Sequence, residues 1–337
     1  MPGTLDPALI DAFPRQRLLV IGDVMLDRFI WGSVSRISPE APVPVVEVER
    51  ESHFPGGAAN VARNLTPFGP RVDLIGLVGP DPNGEMLRGD LRENRIGVDH
   101  LLEVPDFPTI TKTRVVARQQ QVVRIDHERR RYIPSPDLIE KVVAEFRSVA
   151  GDLDGVIIED YGKGLIGQEL VDSVRGIARE AGLVVTVDPN PRNPIAWNGV
   201  TTVKPNRAEA FHEAGIEDPR DGAHPLEDTA LLETGRRLLE KWRSEHLLIT
   251  LGEHGMLLFT AGSEGEPYHI PTRAKEVFDV SGAGDTAIAV FTLALCAGAG
   301  ARVAAELSNQ ASGIVVGKLG TSPVEREELL EAVLASR

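Results

Sequence analysis

The chain has 337 residues, of which 42% are hydrophobic and 26% charged, so it can bury a large core and is too apolar for a disordered protein. Its formal charge of −14 at pH 7 disfavours nucleic acid and an anionic membrane surface as partners. The single cysteine, Cys296, excludes an internal disulfide framework and a multi-cysteine zinc site, and it fits a reducing cytoplasm.

No segment of the sequence has the pattern of a secretion signal or a membrane span. Residues 1–17 lack a basic segment followed by an apolar run and a small-residue cleavage site, which favours a cytoplasmic protein. The most apolar stretch, 287–301, is shorter than the ~20 residues that a spanning helix needs. We expect it to form a buried helix.

Short apolar runs alternate with segments of helical apolar spacing along most of the chain. The runs typical of buried strands are 18–22, 72–78, 155–158, 183–188, 200–203 and 247–251. The helical segments are 58–65, 84–94, 137–149, 168–181, 206–214 and 226–242. This alternation predicts an α/β fold, a mainly parallel central sheet with helices on both faces, built as one domain over residues 1–337.

Two stretches, near 43–50 and 109–127, have partial strand alternation with no helix inside them. We expect them to form a small antiparallel β-strand lid over the carboxyl edge of the main sheet. An ordinary sheet edge and a contact between two copies of the chain are equally compatible with this pattern. The exposed edges favour a homodimer.

A glycine-rich segment, 279–285 (Asp-Val-Ser-Gly-Ala-Gly-Asp), directly precedes the apolar helical stretch. Tight turning at its glycines would aim the amides of Gly282, Ala283 and Gly284 outward from the positive end of a helix dipole, which is a candidate anion hole. Asp285 would then be placed to accept a proton from an attacking hydroxyl. The alternative is that Ser281 or Asp285 only caps the helix.

A second glycine pair lies in Pro-Gly-Gly-Ala-Ala-Asn at 55–60, where Asn60 can both donate and accept hydrogen bonds. Asp23 and Asp27 follow the first predicted strand, at the edge where open α/β sheets bind ligands. Carboxylates accept hydrogen bonds well from vicinal hydroxyls, so a sugar would suit this group. A turn residue after Gly22 is the alternative interpretation of Asp23.

These motifs resemble those of the ribokinase-like, or PfkB, family of carbohydrate kinases. Residues 56–60 are similar to the family's N-terminal signature and 279–285 to its C-terminal one, and the likeness covers nearly the whole chain. Residues 35–44, 160–164 and 317–321 make the chain most similar to members that phosphorylate D-glycero-D-manno-heptose 7-phosphate at carbon 1, towards ADP-heptose and lipopolysaccharide. The chain contains no His-x-Gly-His, so it resembles the stand-alone kinase form.

The resemblance implies a ribokinase-like fold and phosphoryl transfer from ATP with Mg²⁺, and it leaves a monovalent cation requirement open. Asp285 is implied as the general base, and the amides of Gly282, Ala283 and Gly284 as the groups that hold the transferred phosphate. The residues implied to hold the sugar are Asp23, Asp27, Gly56, Gly57 and Asn60.

For the nucleotide, the resemblance implies that Asn206 and Glu209 organise Mg²⁺ and phosphate. The residues implied to contact the rest of ATP are Thr250, Gly252 and Gly255, for its phosphates and ribose, and Asn309, for its adenine. Magnesium that arrives with nucleotide phosphates typically has few protein ligands and several waters. The sequence has no Gly-x-x-x-x-Gly-Lys-Ser/Thr, which disfavours a P-loop kinase.

A sugar-phosphate substrate would need cations for its phosphate. Those near the proposed lid and loops are Arg36, Lys112, Arg114, Arg118, Arg124 and Lys163. Lys112 and Lys163 are our preferred candidates, and a solvated surface charge is the alternative for each. The function predicted is an ATP-dependent heptose-phosphate kinase; the alternatives are another sugar kinase of this fold and a non-catalytic sugar-binding regulator.

Overall fold

A computed structural model of the chain describes residues 6–118, 120–130, 132–219, 222, 224–262, 266–274, 279–318 and 322–335. Its strands are β1 (Arg17–Gly22), β2 (Val24–Ile37), β3 (Pro44–Gly57), β4 (Arg71–Val78), β5 (Ile96–Gly97), β6 (Leu101–Glu103), β7 (Thr111–Ala117), β8 (Gln120–His127), β9 (Gly155–Glu159), β10 (Val184–Asp188), β11 (Thr202–Val203), β12 (His246–Thr250), β13 (Met256–Thr260) and β14 (Tyr268–Ile270). Its α-helices are α1 (Pro7–Ala12), α2 (Ala58–Leu65), α3 (Pro82–Glu93), α4 (Pro136–Val149), α5 (Gln168–Ala181), α6 (Arg207–Ala214), α7 (Thr229–Trp242), α8 (Ala283–Cys296), α9 (Ala301–Val315) and α10 (Arg326–Ala335).

The main sheet has the strand order β14-β13-β12-β11-β10-β9-β1-β4-β5, with β6 paired to β4. Every pair from β12 through to β5 is parallel, as predicted. The antiparallel edge of β13 and β14 was not predicted. It forms because the five residues between β12 and β13 are too few for a crossover helix, so the chain folds back as a hairpin.

Helices cover both faces of this sheet, and β1 shows how the sequence divides between them. Leu18 and Val20 pack in one core with side chains of α2, α8 and α9. Leu19 and Ile21 pack in a second core with side chains of α4, α5, α6 and α7. Because successive strand residues face opposite sides, the continuous apolar run of β1 supplies both cores.

The predicted buried helix is α8, whose residues 286–294 are all buried. It ends at Cys296, earlier than the expected 301, because Gly298 and Gly300 interrupt the apolar run before α9 begins. No helix in the described part of the chain has both the length and the apolar character needed to cross a bilayer.

The lid is a separate four-stranded sheet of order β3-β2-β7-β8. The predicted segment 43–50 is the first part of β3, and 109–127 is the β7–β8 hairpin, of which residue 119 lies outside the described residues. The expectation of an antiparallel lid was wrong, because β2 pairs with β7 in parallel and the sheet is mixed. Strand β2 was not predicted. The parallel pair arises because α2, β4 and α3 lie between these strands in the chain.

Candidate active site

The parallel strands end at one edge of the main sheet, and polar residues follow them there. Asp23 comes directly after β1, Glu159 and Asp188 end β9 and β10, Lys204 comes directly after β11, and Thr250 ends β12. This is the edge at which open α/β sheets bind ligands. The lid sheet also begins here, because β2 starts one residue after Asp23.

A cavity of about 1170 Å³ opens at this edge. The predicted site residues that line it are Asn206, Glu209, Thr250, Gly252, Gly255, Ala283, Gly284, Asp285 and Asn309. The cavity therefore brings the predicted nucleotide-binding residues together with the predicted base. The residues predicted to hold the sugar are not part of its lining, but Asn60 contacts Asp285 beside it.

Asp285 lies in the first turn of α8, and its carboxylate does not cap the helix. The N-cap residue is Gly282, in a left-handed conformation, and no side chain caps the helix there. The capping alternative for Ser281 and Asp285 is therefore wrong. Asp285 instead accepts hydrogen bonds from Asn60 Nδ2 (2.6 Å, to Oδ2) and from the Tyr161 hydroxyl (3.0 Å, to Oδ1). Partners on both oxygens fix the orientation of the carboxylate.

Of the three amides predicted to hold phosphate, one already has a partner. The Ala283 amide donates to the Val280 carbonyl at 3.3 Å, within the turn that precedes α8. Gly282 and Gly284 flank it at the helix start. A phosphate at this position would face the positive end of the α8 dipole.

The pKa of Asp285 rises to about 6, and burial is the main cause of this rise. The hydrogen bond from Asn60 lowers this pKa, the nearby Asp188 raises it, and the hydrogen bond from Tyr161 lowers it again. A general base works best when its pKa lies close to the operating pH, so this environment suits proton acceptance near neutrality.

Three carboxyl groups meet at the base of the cavity, since oxygen atoms of Glu159, Asp188 and Asp285 lie within 4.8 Å of one another. Burial raises the pKa of Glu159 well above its usual range, and the charges of Asp188 and Asp285 add to this effect. Glu159 is 2% exposed, so its neutral form is the favoured one.

Lys204 neutralises this acidic cluster from within the protein. Its Nζ lies 2.8 Å from Asp188 Oδ2 and 3.5 Å from the position that a Cβ would occupy at Gly284. A buried cation thus lies between the acidic cluster and the start of α8. No role for Lys204, Glu159 or Tyr161 was predicted from the sequence. Glu159 and Lys204 directly follow the predicted strands 155–158 and 200–203, and that position was their signal. Tyr161 lies in the loop after the first of these strands, within the segment 160–164.

Asn60 lies in the first turn of α2 and is 3% exposed. One turn later, Asn64 Oδ1 accepts a hydrogen bond from Thr286 Oγ1 at 2.9 Å, and Asn64 Nδ2 donates to the Asn60 carbonyl at 2.9 Å. Thr286 is the residue after Asp285. These buried bonds fix α2 against α8 and thereby hold Asn60 next to Asp285.

Asp23 is buried and organises the loop 160–165, which follows β9. Its carboxylate accepts hydrogen bonds from the amides of Tyr161 (3.2 Å), Lys163 (2.8 Å) and Leu165 (3.3 Å). Burial raises the Asp23 pKa, and the three amide bonds oppose that rise. Its predicted contact with a sugar hydroxyl stays a prediction; the structure shows it holding this loop.

Asp27 lies on β2 and its carboxylate approaches the backbone of β3. A Cβ at Gly56 would overlap Asp27 Oδ2, so this contact requires glycine. Asp27 also pairs with Arg114 Nη1 at 2.5 Å. Gly57, the last residue of β3, has a φ of +60°. Asp27, Gly56 and Gly57 therefore form one corner between the lid and the main sheet.

Lys112 lies on the lid strand β7, and Lys163 lies in the loop 160–165 that follows β9. We call these two residues the cations of the lid side. Lys112 Nζ stands 5.9 Å from the centroid of the Tyr161 ring, and burial lowers its pKa. Lys163 Nζ pairs with Glu128 at 2.6 Å, just beyond the end of β8. Of the other candidate cations, Arg124 pairs with Asp126 on its own strand, and Arg36 and Arg118 are exposed.

Asn206 and Glu209 form a capping box at the start of α6. Asn206 Oδ1 accepts from the Glu209 amide (3.0 Å), and Glu209 Oε2 accepts from the Asn206 amide (2.8 Å). Their spacing thus has a structural role that the sequence analysis did not assign. Both residues also line the cavity, so this role does not remove them from the site.

The remaining predicted nucleotide-binding residues also line the cavity. Thr250 forms a bridge with Asn206, which brings the end of β12 to the start of α6. Gly255 has a φ of +84°, and a Cβ there would overlap the Ile270 carbonyl oxygen. Asn309, 4% exposed on α9, donates from Nδ2 to the Pro271 carbonyl at 2.8 Å. In the predicted segment 317–321, residues 319–321 lie outside the described residues.

Comparison with known proteins identifies the family. The model of the pfkB family carbohydrate kinases matches residues 15–327. The chain belongs to this family. Its PfkB-type fold is also that of Arabidopsis thaliana ribokinase complexed with ribose and ATP (TM-score 0.71, 18% identity, 94% of this chain and 98% of that one). Phosphofructokinase-2 from Escherichia coli in complex with potassium is similarly close (TM-score 0.74, 16% identity, 96% and 99%).

Among curated proteins, this PfkB-family chain is similar to the bifunctional protein HldE of Desulfatibacillum aliphaticivorans. The two are 41% identical over 321 residues, which are 95% of this chain and 63% of that protein. The chain thus spans less than two thirds of the length of this relative. The predicted ribokinase-like fold and family are confirmed.

Proposed function

We propose that this chain transfers the terminal phosphoryl group of ATP to the carbon-1 hydroxyl of D-glycero-D-manno-heptose 7-phosphate. One observation carries the proposal: Asp285, the proposed base, lies between a nucleotide-sized cavity and the cations of the lid side. A substrate with a reactive hydroxyl at one end and an anionic group at the other matches this arrangement. The similarity to HldE supports the same substrate class.

In the proposed reaction, Asp285 accepts the proton of the attacking hydroxyl as the oxygen bonds to phosphorus and the bond to the departing ADP oxygen breaks. Asn60 and Tyr161 orient the carboxylate during this step. Lys204 and the start of α8 stabilise the negative charge on the transferred phosphoryl group, because both lie at the same end of the cavity.

The polar side chains at the start of α6 are suitable ligands for Mg²⁺. Glu209 and Asn206 line the cavity, and the capping box engages only one carboxylate oxygen of Glu209. These two residues would hold the ion together with nucleotide phosphates and water, and Mg²⁺ when bound would neutralise phosphate charge. A monovalent cation requirement stays a prediction, to be tested by exchanging K⁺ for Na⁺ in the assay.

We also propose a single-domain homodimer that works in the cytoplasm. Support for the dimer comes from the lid, where strand residues Ile37, Val48, Val123 and Ile125 are 45–61% exposed. Exposed apolar side chains on sheet strands are typical of surfaces that pair with another chain.

A non-catalytic sugar-binding role is disfavoured by the two hydrogen bonds that hold Asp285 at the cavity.

The decisive experiment is coupled ADP release with ATP and Mg²⁺, using heptose 7-phosphate, unphosphorylated heptose, fructose, ribose and fructose phosphates. We expect rapid release with heptose 7-phosphate and little with the others, and a loss of at least about 10²-fold in Asp285→Asn. Preference for another sugar would contradict the substrate, and tight sugar binding without ADP release would contradict the kinase reaction.

A further inference from the structure

The loop 160–165 has a fixed geometry because buried carboxylates hold it at several points. Asp23 accepts three of its backbone amides, and Asp160 Oδ1 accepts the Gly162 amide at 2.8 Å. Asp160 also accepts a hydrogen bond from Asn193 Nδ2 at 2.8 Å, which ties the loop to the segment after β10. Side chains on this loop are therefore presented at defined positions.

Tyr161 is the loop residue that lies between the base and the cations of the lid side. Its hydroxyl donates to Asp285 Oδ1 at 3.0 Å, and its ring faces Lys112 Nζ at 5.9 Å. Lys163, two residues further along the same loop, pairs with Glu128. One side chain thus contacts both the base and one of the candidate phosphate-binding cations.

We infer that Tyr161 is a positioning residue with two separable tasks: its hydroxyl orients Asp285 for proton acceptance, and its ring supports Lys112 for binding the anionic end of the substrate. The inference deepens the proposed kinase function and rests on it. Because the hydroxyl and the ring act on different partners, substitutions that remove one or both should separate turnover from substrate binding.

The hydroxyl can serve only as a donor to Asp285. Burial raises the Tyr161 pKa well above its usual range, and the charge of Asp285 adds to the rise, so the phenol stays protonated. The other groups that face Asp285 are Asn60 from α2, Glu159 from β9, Asp188 from β10 and Lys204 after β11. Of these, Asn60 and Tyr161 donate hydrogen bonds to its carboxylate.

The test compares Tyr161→Phe, which removes only the hydroxyl, with Tyr161→Leu, which also removes the ring. For Tyr161→Phe we expect kcat to fall about tenfold with the KM for the sugar phosphate within twofold of wild type. The acid limb of its kcat profile should move to higher pH, because a donated hydrogen bond favours the ionised carboxylate. For Tyr161→Leu we expect an additional rise in KM of about two- to tenfold.

The rise in KM should be specific to a phosphorylated substrate, so both variants are also assayed with the matching unphosphorylated sugar. There the two variants should have equal KM values. The matched control is Tyr268→Phe, which removes a phenol donor to Glu306 away from Asp285 and should leave kcat and the pH profile unchanged. Circular dichroism and thermal unfolding establish that each variant is folded.

Two results would overturn the inference. Wild-type kcat and an unmoved acid limb in folded Tyr161→Phe would show that the hydroxyl does not position the base. Equal KM values of Tyr161→Phe and Tyr161→Leu for the sugar phosphate would show that the ring does not support Lys112. If wild type prefers a sugar phosphate other than heptose 7-phosphate, only the substrate proposal fails, since the same comparison applies to that substrate.

Discussion

Asp285 is the residue whose protonation state should control the rate. Its pKa of about 6 lies between that of an exposed aspartate and neutrality, mainly because of burial. The ionised form is the one that accepts a proton, so kcat should rise about tenfold per pH unit below pH 6 and level off above it. A pH–rate profile from pH 4.5 to 9 with saturating substrates measures this.

The control for that profile is Asp285→Asn, which cannot titrate at this position. Its residual rate should stay low and show no acid limb near pH 6. A wild-type profile that is flat down to pH 4.5 in a protein still folded by circular dichroism would contradict the role of Asp285 as a base with this pKa.

At the residue scale, sequence motifs singled out Asp285, the proposed base, together with its glycine loop and its partner Asn60, but not Tyr161 or Lys204. Asp285 could be predicted because its motif is continuous with a helix start. Tyr161 and Lys204 reach Asp285 only because β9 and β11 end, and α8 begins, at the same edge. This proximity spans 124 positions for Tyr161 and 81 for Lys204, and it has no local signature. The Asn206–Glu209 spacing has two physical explanations, and only the structure revealed the capping box.

At the scale of elements, the contact of α2 with α8 sets the geometry of the base. In Asn64→Ala, the Thr286 hydroxyl loses its side-chain partner, and the Asn60 carbonyl loses the amide of Asn64. We expect a loss of about 1–3 kcal/mol in the free energy of unfolding, because these groups are buried, together with a lower kcat. Urea unfolding and steady-state kinetics measure the two effects.

Asn94→Ala is the matched control, since Asn94 Nδ2 makes the same bond to the carbonyl four residues earlier, Asp90, at the end of α3. It should leave kcat at the wild-type value. Equal kcat values for the two variants would contradict the assignment of α2 as the element that positions Asn60.

The elements of the main sheet were predictable where burial on both faces makes a strand continuously apolar, as in β1, or where an amphipathic helix has clear ends, as in α5. The lid strand β2 was not. It mixes polar and apolar residues irregularly, and its pairing with β3 shifts register between Trp31 and Gly32 and between Val34 and Arg36. Tertiary pairing, which a local pattern does not encode, defines such a strand.

For the whole molecule, the exposed apolar lid residues predict association of two copies. Light scattering of wild type should give twice the chain mass of 36.5 kDa. The double variant Val123→Asp/Ile125→Asp should give a monomer, because it places charges on an apolar contact surface. Leu334→Asp, an equally drastic change at a half-exposed position of α10, should stay dimeric. A wild-type mass of 36.5 kDa at assay concentrations would contradict the dimer.

The direct passage from β3 into α2 limits how this protein can diverge. Gly57 ends the lid strand and Ala58 begins the helix, so no connecting residue separates the lid from Asn60. One inserted residue at this junction would rotate the following helix positions by about 100° and carry Asn60 away from Asp285. New substrate preferences are therefore expected to arise by replacement of lid side chains, while the length of this junction stays constant during evolution.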